Sequence, residues 1–476
     1  MHRIVIVGGG VAGLSAAWEL LGDPQGPPAD LEVIVLESSD RVGGKLRRHP
    51  VAGHLVDVGA EAMLATRPEA AVLVAEIGGG DAIVTPATMA ASVYSRGDLH
   101  PLPPGTLMGI PADPAAAAGL LTDEEVDRAA DEHVVAPLTG DVSVGAYVAD
   151  ALGEAVVDRL VEPLLGGVYA GQARALSLAA TLPGVYAAAS AGRSLLATAR
   201  AFTPPPRSES DHAPGGSAPR APFIGLRGGV GHLPGLIADA VRARGGVVRT
   251  RVTVTELDRA GSGWGVLVST ATGTETITAD AVVLAVPAAV AHDLLERHTA
   301  SAAEALARIE TASVAVVTFA FETGEMPPLT GSGFLVPPVE GRSVKASTFS
   351  SQKWRWLAEL SPDLTYVRAS LGRFGDEADL LLPDEDLVDL AFDDLTAILG
   401  VTLPEPVDFH VQRWENGLPQ YAVGHLGTVA TIRAAMAAVP GVELAGASYL
   451  GVGIPAVIAS GREAARNALV TLGLRD

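Results

Sequence analysis

The hydrophobic pattern at the start of the chain predicts a strand–helix–strand unit. Ile4 to Val7 is a β-branched run typical of a buried strand, and Leu14 to Leu21 has the composition of a helix. A second buried strand is predicted at Glu32 to Leu36, after a connection rich in Pro and Gly at Gly22 to Asp30. Because parallel strands joined through a helix begin a doubly wound sheet, this unit predicts an α/β domain.

Three later segments are expected to return to the same domain. Gly228 to Arg244 has the pattern of a loop and a helix, and alternating strands follow from Val247 to Ile277. Ala281 to Val286 is a further buried strand. Val442 to Leu444 precedes a Gly-rich turn and a helix from about Ala456 to Leu472. The strand–turn–helix form therefore occurs at both ends of the chain.

The remaining segments predict two other units. Ala115 to Arg200 is rich in Ala and Leu, which favours a mainly helical insertion. Strands at Val314 to Phe321 and Tyr366 to Leu371, with a helix at Asp384 to Leu399, predict a second domain of α+β type. The Pro, Ser and Gly content of Thr203 to Pro222 predicts a mobile surface loop.

Composition narrows the classes of function. A chain of 476 residues is long enough for two or three hydrophobic cores. Its net charge of −22 repels polyanions, so nucleic acid is not an expected partner. The chain has no cysteine, which excludes disulfides, thiolate metal sites and a thioether-linked flavin; we expect no metal site, and a reducing compartment fits.

No membrane or export segment is expected. Met1 to Val7 already has a strand pattern and leaves no room for a signal peptide. Two uncharged stretches, Ala175 to Gly192 and Leu444 to Gly461, are long enough to span a bilayer, but Gly and Pro residues interrupt both of them. We therefore predict a cytoplasmic protein without stable membrane insertion.

The turn after the first strand carries a dinucleotide-binding fingerprint. The residues are Gly8, Gly9, Gly10, Val11, Ala12 and Gly13, in the pattern G-x-G-x-x-G between a strand and a helix. Gly8 permits a tight turn, Gly10 lets the backbone approach a pyrophosphate, and Gly13 lets the helix pack on the sheet. Glu37 ends the second strand and is predicted to accept hydrogen bonds from a ribose.

A second loop favours FAD over a nicotinamide cofactor. Arg41, Val42, Gly43, Gly44 and Lys45 follow Glu37 closely. An R-x-G-G loop at this place resembles the phosphate-binding loop in flavoenzymes of the amine oxidase and glutathione reductase superfamily. We therefore predict an FAD-binding Rossmann-like domain with non-covalent FAD.

Five further segments resemble the porphyrinogen oxidases of haem synthesis, in that family's order and over nearly the whole chain. They are Asp57 to Leu64, Leu99 to Pro111, Glu162 to Gly171, Arg413 to Tyr421 and Gly451 to Pro455. Within the family the chain is most similar to the soluble coproporphyrinogen III oxidases of Gram-positive bacteria. In one departure, Glu61 stands where the membrane-bound protoporphyrinogen oxidases can carry an arginine, which weakens any transfer of an arginine-based mechanism.

The resemblance implies a set of site residues and a division into domains. The implied flavin contacts are Gly8 to Gly13, Glu37, Ser38, Arg41, Lys45, Gly59, Ala60, Glu61, Ala62, Val254, Trp414, Val452, Gly453 and Ile454. The implied substrate contacts are Val168 and Tyr169 for the apolar face of a tetrapyrrole, and Arg67 and Arg96 for its propionates. The expected domains are an FAD-binding one at 1–66, 223–295 and 440–476, a substrate-binding one at 67–108 and 296–439, a helical one at 109–202, and the loop at 203–222.

The implied reaction is oxidation of coproporphyrinogen III to coproporphyrin III. Six hydrogens leave the porphyrinogen, dioxygen accepts the electrons, and hydrogen peroxide forms. No residue is identified as a catalytic base, and other haem-synthesis enzymes are possible partners. Three alternatives stay open: a protoporphyrinogen IX oxidase, an amine oxidase or carotenoid-type desaturase on the same fold, and a flavin- or porphyrin-binding protein without turnover.

Overall fold

A five-stranded parallel sheet organises both ends of the chain in the computed structural model, which describes residues 2–22, 30–202 and 221–475. From edge to edge its strands are Val247–Arg249, Leu31–Leu36, His2–Val7, Ala281–Leu284 and Val442–Leu444. This order confirms the doubly wound sheet predicted from the β-branched runs. The loop predicted at 203–222 and the connection at 22–30 lie mostly outside the described residues.

The two helices that follow Gly-rich turns begin earlier than predicted. They run over Val11–Leu21 and Ile454–Thr471, so each starts two or three residues before the expected position. The reason is that the last residues of each turn already adopt helical backbone angles, with Gly10 and Gly453 as the capping residues. The two helices therefore begin directly at the Gly-rich turns.

These two helices pack closely on one face of the sheet. A Cβ atom on Gly461 would lie 2.1 Å from the carbonyl oxygen of Ala12, so a glycine is needed at this crossing. Leu14 is fully buried between the helices and the sheet; burial of such a side chain contributes about 1.5–3 kcal/mol. Helix Leu233–Ala243 completes this layer.

The other face of the parallel sheet is covered by an antiparallel sheet and three helices. The strands are Thr253–Ala260, Gly263–Thr270 and Gly273–Ala279, and the helices are Ala288–Leu295, Ala300–Ala307 and His425–Met436. Trp264, Leu306 and Ile432 join the sheet residues Val5 and Leu284 in one core. This core holds the strand after residue 252 beside the end of the second parallel strand.

A seven-stranded sheet forms the second large unit. In order its strands are Asp408–Pro419, Thr311–Glu322, Leu364–Leu371, Val344–Phe349, Gly333–Leu335, Ser92–Ser95 and Asp98–Pro101. Helix Asp384–Leu399 covers one face with Leu387, Ala391 and Leu395, which lie on one stripe of the helix. The predicted strands and helix of the α+β domain are thereby confirmed.

The segment from Ala115 to Arg200 is mainly helical, as its composition predicts. Its helices are Asp123–Ala130, Val144–Leu152, Glu154–Val156, Glu162–Tyr169, Leu178–Thr181, Pro183–Ser190 and Leu195–Phe202, with a π-helical turn at Val157–Val161. None of the helices in the described residues is long and apolar enough to cross a membrane.

Short strands and α-helices connect the larger sheets and helical layers. The remaining strands are Arg48–Val51, His54–Asp57, Met63–Leu64, Ile83–Val84, Thr106–Leu107, Ile110–Pro111 and Phe223–Leu226; the remaining helices are Glu69–Glu76, Ser350–Lys353 and Arg355–Leu360. Helix Glu69–Glu76 packs through Leu73 and Val74 into the same core as Leu14. The expected domain ranges stay a prediction; the predicted boundary at residue 66 would separate helix Glu69–Glu76 from the core in which it lies.

Candidate cofactor and substrate site

Three positions of the first turn are occupied by glycine for different structural reasons. Gly8 has a φ of +106°, and a Cβ atom there would lie 2.4 Å from the carbonyl oxygen of Ala285. A Cβ atom on Gly13 would lie 2.0 Å from the carbonyl oxygen of Gly8. Around Gly10, in contrast, no atom of the described residues comes within 4 Å of that position. The space at Gly10 is therefore open to a ligand.

A second glycine loop faces Gly10. The amide of Gly43 donates to the carbonyl oxygen of Gly9 at 2.8 Å, and a Cβ atom on Gly44 would lie 3.5 Å from the Cα atom of Gly10. The Arg41 guanidinium donates to the carbonyl oxygen of Gly44 at 2.9 Å and thus holds the loop in shape. The two loops therefore contact each other, and the open space at Gly10, beside Gly44, suits a pyrophosphate; we call this space the pyrophosphate channel.

Positive potential is concentrated at this channel. The helix at Val11 has no side-chain cap and no acidic residue in its first turn, so its free amides and its dipole attract an anion. Lys45 is exposed; desolvation by the surrounding protein lowers the pKa of Lys45 to about 8, so that it is still mainly a cation at pH 7. Both features fit a cofactor that carries phosphate groups.

Glu37 is fixed beside the same turn. Its Oε2 atom accepts from the amide of Gly9 at 2.8 Å, and its Oε1 atom accepts from the amide and hydroxyl of Ser39 at 2.9 and 2.8 Å. Its carbonyl oxygen accepts from the amide of Val252 at 2.9 Å, which brings the strand of Val254 close by. Ser38 is exposed at this end. The structure therefore groups the residues predicted to bind the adenosine half of FAD.

The segment Gly59 to Ala62 lies next to the second loop. A Cβ atom on Gly59 would lie 2.5 Å from the carbonyl oxygen of Lys45 and 3.1 Å from the Trp414 ring. The indole nitrogen of Trp414 donates to the carbonyl oxygen of Val58 at 3.3 Å. Lys45, Gly59 and Trp414, which are far apart in sequence, are thus brought together.

The last helix, Ile454–Thr471, begins near Leu64, which closely follows the segment Gly59 to Ala62. Gly451 has a φ of +137°, and its amide donates to the Tyr421 hydroxyl at 2.6 Å. A Cβ atom on Gly453 would lie 4.0 Å from the Leu64 side chain, so Val452, Gly453 and Ile454 lie beside the strand that follows Ala62. This helix also starts without a side-chain cap or an acidic residue in its first turn. Two uncapped helix N-termini therefore adjoin the predicted flavin contacts.

Glu61 is buried and has three partners that sequence reasoning missed. The Arg368 guanidinium lies 2.9 Å from its Oε1 atom, Lys353 Nζ lies 3.6 Å from its Oε2 atom, and the Ser350 hydroxyl donates to it. Burial favours the neutral acid, but the positive charges of Arg368 and Lys353 and the Ser350 hydrogen bond lower the pKa of Glu61 to about 2. Glu61 is therefore an anion held between two cations.

Asp57 precedes the same segment in the sequence, and its pKa is shifted in the opposite direction to that of Glu61. Its carboxyl oxygens accept from the amides of Val230 and Gly231, each at 2.8 Å. Burial, and to a smaller extent the charge of Glu61, raise the pKa of Asp57 to about 7 despite these hydrogen bonds. Two carboxyl groups of one sequence motif therefore differ widely in pKa, because only Glu61 has direct cationic partners.

The predicted substrate residues Val168 and Tyr169 end a helix near the last helix. Val168 is 44% exposed, whereas Tyr169 is 8% exposed and its ring lies 5.7 Å from that of Tyr421. Burial raises the pKa of Tyr169 to about 12, so its hydroxyl stays protonated at neutral pH. Through Tyr421, this pair adjoins Gly451, and Val452 packs against the same hydrophobic core as the two tyrosines.

The two predicted propionate contacts are placed differently. A Cβ atom on Gly451 would lie 3.9 Å from Arg67 Nη1, so Arg67 lies at the start of the last helix; it pairs with Glu69 at 2.7 Å. Arg96 makes two hydrogen bonds of 2.8 Å with Glu125 and donates to the carbonyl oxygen of Leu120. Both arginines are thus paired with a glutamate, and their contact with substrate stays a prediction.

Comparisons with known proteins place this geometry in context. A family model described as flavin containing amine oxidoreductase matches residues 11–469. Coproporphyrinogen III oxidase of Mycobacterium leprae is 38% identical over 96% of both chains, and that of Bacillus subtilis is 31% identical over 99% of this chain and 98% of the relative. A crystal structure named "Putative protoporphyrinogen oxidase", from Exiguobacterium sp. 255-15, is 32% identical with a TM-score of 0.84 and covers 99% of both chains.

Proposed function

The chain belongs to the family of flavin containing amine oxidoreductases, and on that basis we propose that it is an FAD-dependent oxidase of coproporphyrinogen III. The substrate assignment rests on one observation. The sequence of the chain is 38% and 31% identical, over nearly its full length, to two proteins named coproporphyrinogen III oxidase. The proposed product is coproporphyrin III, and the proposed role is in haem synthesis.

The chain's own residues fit FAD. The channel between Gly10 and Gly44 would hold the pyrophosphate, with Lys45 beside it, and Glu37 would bind the ribose. Trp414 and the start of the last helix would adjoin the flavin ring. When bound, FAD supplies the acceptor for a hydride. Because the chain has no cysteine, it cannot form a thioether to the flavin, and we propose that binding is non-covalent.

We propose that the tetrapyrrole lies against Val168 and Tyr169, opposite the last helix. Exposed apolar surface at Val168 suits a macrocycle face, and Arg67 lies where a guanidinium could bind a propionate. The residues position one methylene carbon and exclude water; the hydroxyl of Tyr169 stays protonated and is not proposed as a base. No other residue is assigned as a base.

Dioxygen as acceptor, a cytoplasmic location and transfer of product to other haem-synthesis enzymes belong to the same proposal. A cysteine-free chain fits a reducing compartment. Oxidation by dioxygen would form one peroxide for each pair of hydrogens removed, so the six hydrogens of the porphyrinogen would yield three.

The test is a peroxide assay on the purified FAD-loaded protein under air. We expect coproporphyrinogen III to be oxidised with peroxide and porphyrin formed in the ratio of three to one. If amines bleach the flavin and the porphyrinogen does not, the chain is an amine oxidase. If it binds porphyrinogen stoichiometrically and forms no peroxide, it is a binding protein without turnover.

A further inference from the structure

A basic groove lies on the side of the second glycine loop that faces away from Gly10. One wall is the segment from Asp40 to Arg48, and the other is the start and exposed face of helix Leu233–Ala243. Its volume is about 430 Å³, within the range of small-molecule sites. We call it the basic groove; its positive charge comes from Arg41, Arg47, Arg48 and Arg242, and His232 also lines it.

The groove is separate from the pyrophosphate channel. A Cβ atom on Gly43 would lie 3.2 Å from Arg41 Nη1 and 3.2 Å from the Pro234 ring, so the Arg41 side chain lies behind the loop. Gly44, on the other side, faces Gly10. Neither Gly10 nor Gly44 lines the groove. A ligand in the groove would therefore bind beside the cofactor and not in its place.

Three arginines of the groove lack a carboxylate partner. Within residues 2–22, 30–202 and 221–475, Arg41 and Arg48 donate only to backbone carbonyl oxygens, and the Arg47 guanidinium makes no hydrogen bond or ion pair. The fourth arginine, Arg242, pairs with Asp239 at 2.9 Å. Among the described residues, the exposed Asp40 is the only carboxylate that lines the groove, which leaves the three arginines in excess.

The basic side chains of the groove are close enough for the charge of one to lower the pKa of another. Burial, and next the charge of Arg47, lower the pKa of Arg41. Burial, and next the charge of Arg48, lower the pKa of His232. Glu37 and Asp40 act in the opposite direction on Arg41, as do Asp57 on Arg48 and Asp239 on His232. Like charges that lie close together are unfavourable unless an anion neutralises them. Such a group of cations stands out in a chain whose net charge is −22.

We propose that the basic groove binds a small organic anion that carries at least two carboxylate or phosphate groups. Guanidinium groups on neighbouring positions can each contact a different anionic group of one ligand, which favours multivalent over monovalent anions. Val42, Leu46 and the 47% exposed Leu55 add an apolar surface for a carbon body. This inference does not depend on the proposed substrate.

The test uses the FAD-loaded full-length protein and two probes, citrate for carboxylates and pyrophosphate for phosphates. Binding is measured by isothermal titration calorimetry, with ionic strength held constant by sodium chloride. We expect saturable binding of at least one probe, weakened at least tenfold in the double variant Arg47→Gln/Arg48→Gln. The matched control is Arg308→Gln/Arg355→Gln, which removes two charges from exposed positions outside the groove and should bind like the wild type.

Flavin absorbance and the unfolding midpoint confirm that each variant is folded and loaded. Should the double variant not fold, Arg47→Gln replaces it, because this guanidinium makes no contact that the described part of the fold needs, and at least threefold weaker binding is expected. The proposal is overturned if neither probe binds the wild type saturably, if both double variants lose affinity equally, or if binding requires release of FAD. None of these results bears on the oxidase assay.

Discussion

The carboxylate of Glu61 and the guanidinium of Arg368 form a buried ion pair, with 2.9 Å between Oε1 and Nη1. Arg368 Nη2 also donates to the carbonyl oxygen of Gly59 at 2.6 Å. The pair therefore ties the segment from Gly59 to Ala62 to the seven-stranded sheet, on which Arg368 lies. An arginine in place of Glu61 would here lie beside two cations, Arg368 and Lys353.

Loss of the Glu61 charge should destabilise the protein strongly. Glu61→Gln leaves Arg368 and Lys353, whose side chains are only 11% and 18% exposed, without this counter-ion, and breaking a buried pair costs about 3–5 kcal/mol. The control is Glu154→Gln, which removes one of the two carboxylate partners of Arg174 at a side chain that is 70% exposed and should cost less than about 1 kcal/mol. Urea unfolding of both variants measures the difference; equal losses would contradict a buried pair.

The raised pKa of Asp57 predicts a specific pH dependence. The folded protein keeps this proton up to a pH of about 7, whereas the unfolded chain loses it near its ordinary value of 3.8. Asp57 therefore reduces stability progressively as pH rises from about 4 to about 7, and no further above that. Relative to the wild type, Asp57→Asn should become more stable over this window by a few kcal/mol. A difference in unfolding free energy that is constant from pH 4.5 to 8 would refute the assignment.

Gly10→Val should give a folded but colourless protein. Its side chain would project into space that no described atom fills, so the fold should tolerate it while the pyrophosphate is excluded. Gly461→Val is the contrasting variant, because its Cβ atom would clash with the Ala12 carbonyl oxygen and should destabilise the fold. Flavin content and the unfolding midpoint of both proteins distinguish the two effects. Normal FAD content in Gly10→Val would show that the channel is misassigned.

Glu37→Ala should weaken FAD binding by about 1–3 kcal/mol, as expected for loss of hydrogen bonds to a charged group. The dissociation constant is measured by fluorescence titration of the apoprotein with FAD. Glu32→Ala is the control, since Glu32 lies on the same strand but pairs with Arg3. Equal dissociation constants in the two variants would show that Glu37 does not contact the cofactor.

The local pattern of the chain predicted most of the FAD-binding domain. Runs such as Ile4 to Val7 are apolar on both faces, which only a buried parallel strand satisfies, and the Gly-rich turns fixed where two helices begin. The helix starts were placed two or three residues late, because Val11 and Ile454 belong to both turn and helix.

Contacts between distant segments could not be predicted in this way. Ser350, Lys353 and Arg368 lie about 300 positions after Glu61, and no periodicity or spacing links them to it. Arg96 was predicted to contact a propionate because guanidinium groups bind carboxylates, and its pairing with Glu125 could not be foreseen because it depends on the fold. The basic groove likewise combines a loop and a helix that are 190 positions apart, which a search for basic runs does not detect.

The ratio of kcat/KM for coproporphyrinogen III to that for protoporphyrinogen IX tests the account most directly. Initial rates are measured under air, by porphyrin fluorescence, with the FAD-loaded protein and each porphyrinogen in turn. The proposed function predicts a ratio well above one, in favour of the substrate with four propionates. A ratio below one, in favour of protoporphyrinogen IX with two, would contradict the substrate assignment and leave the flavin oxidoreductase family unaffected.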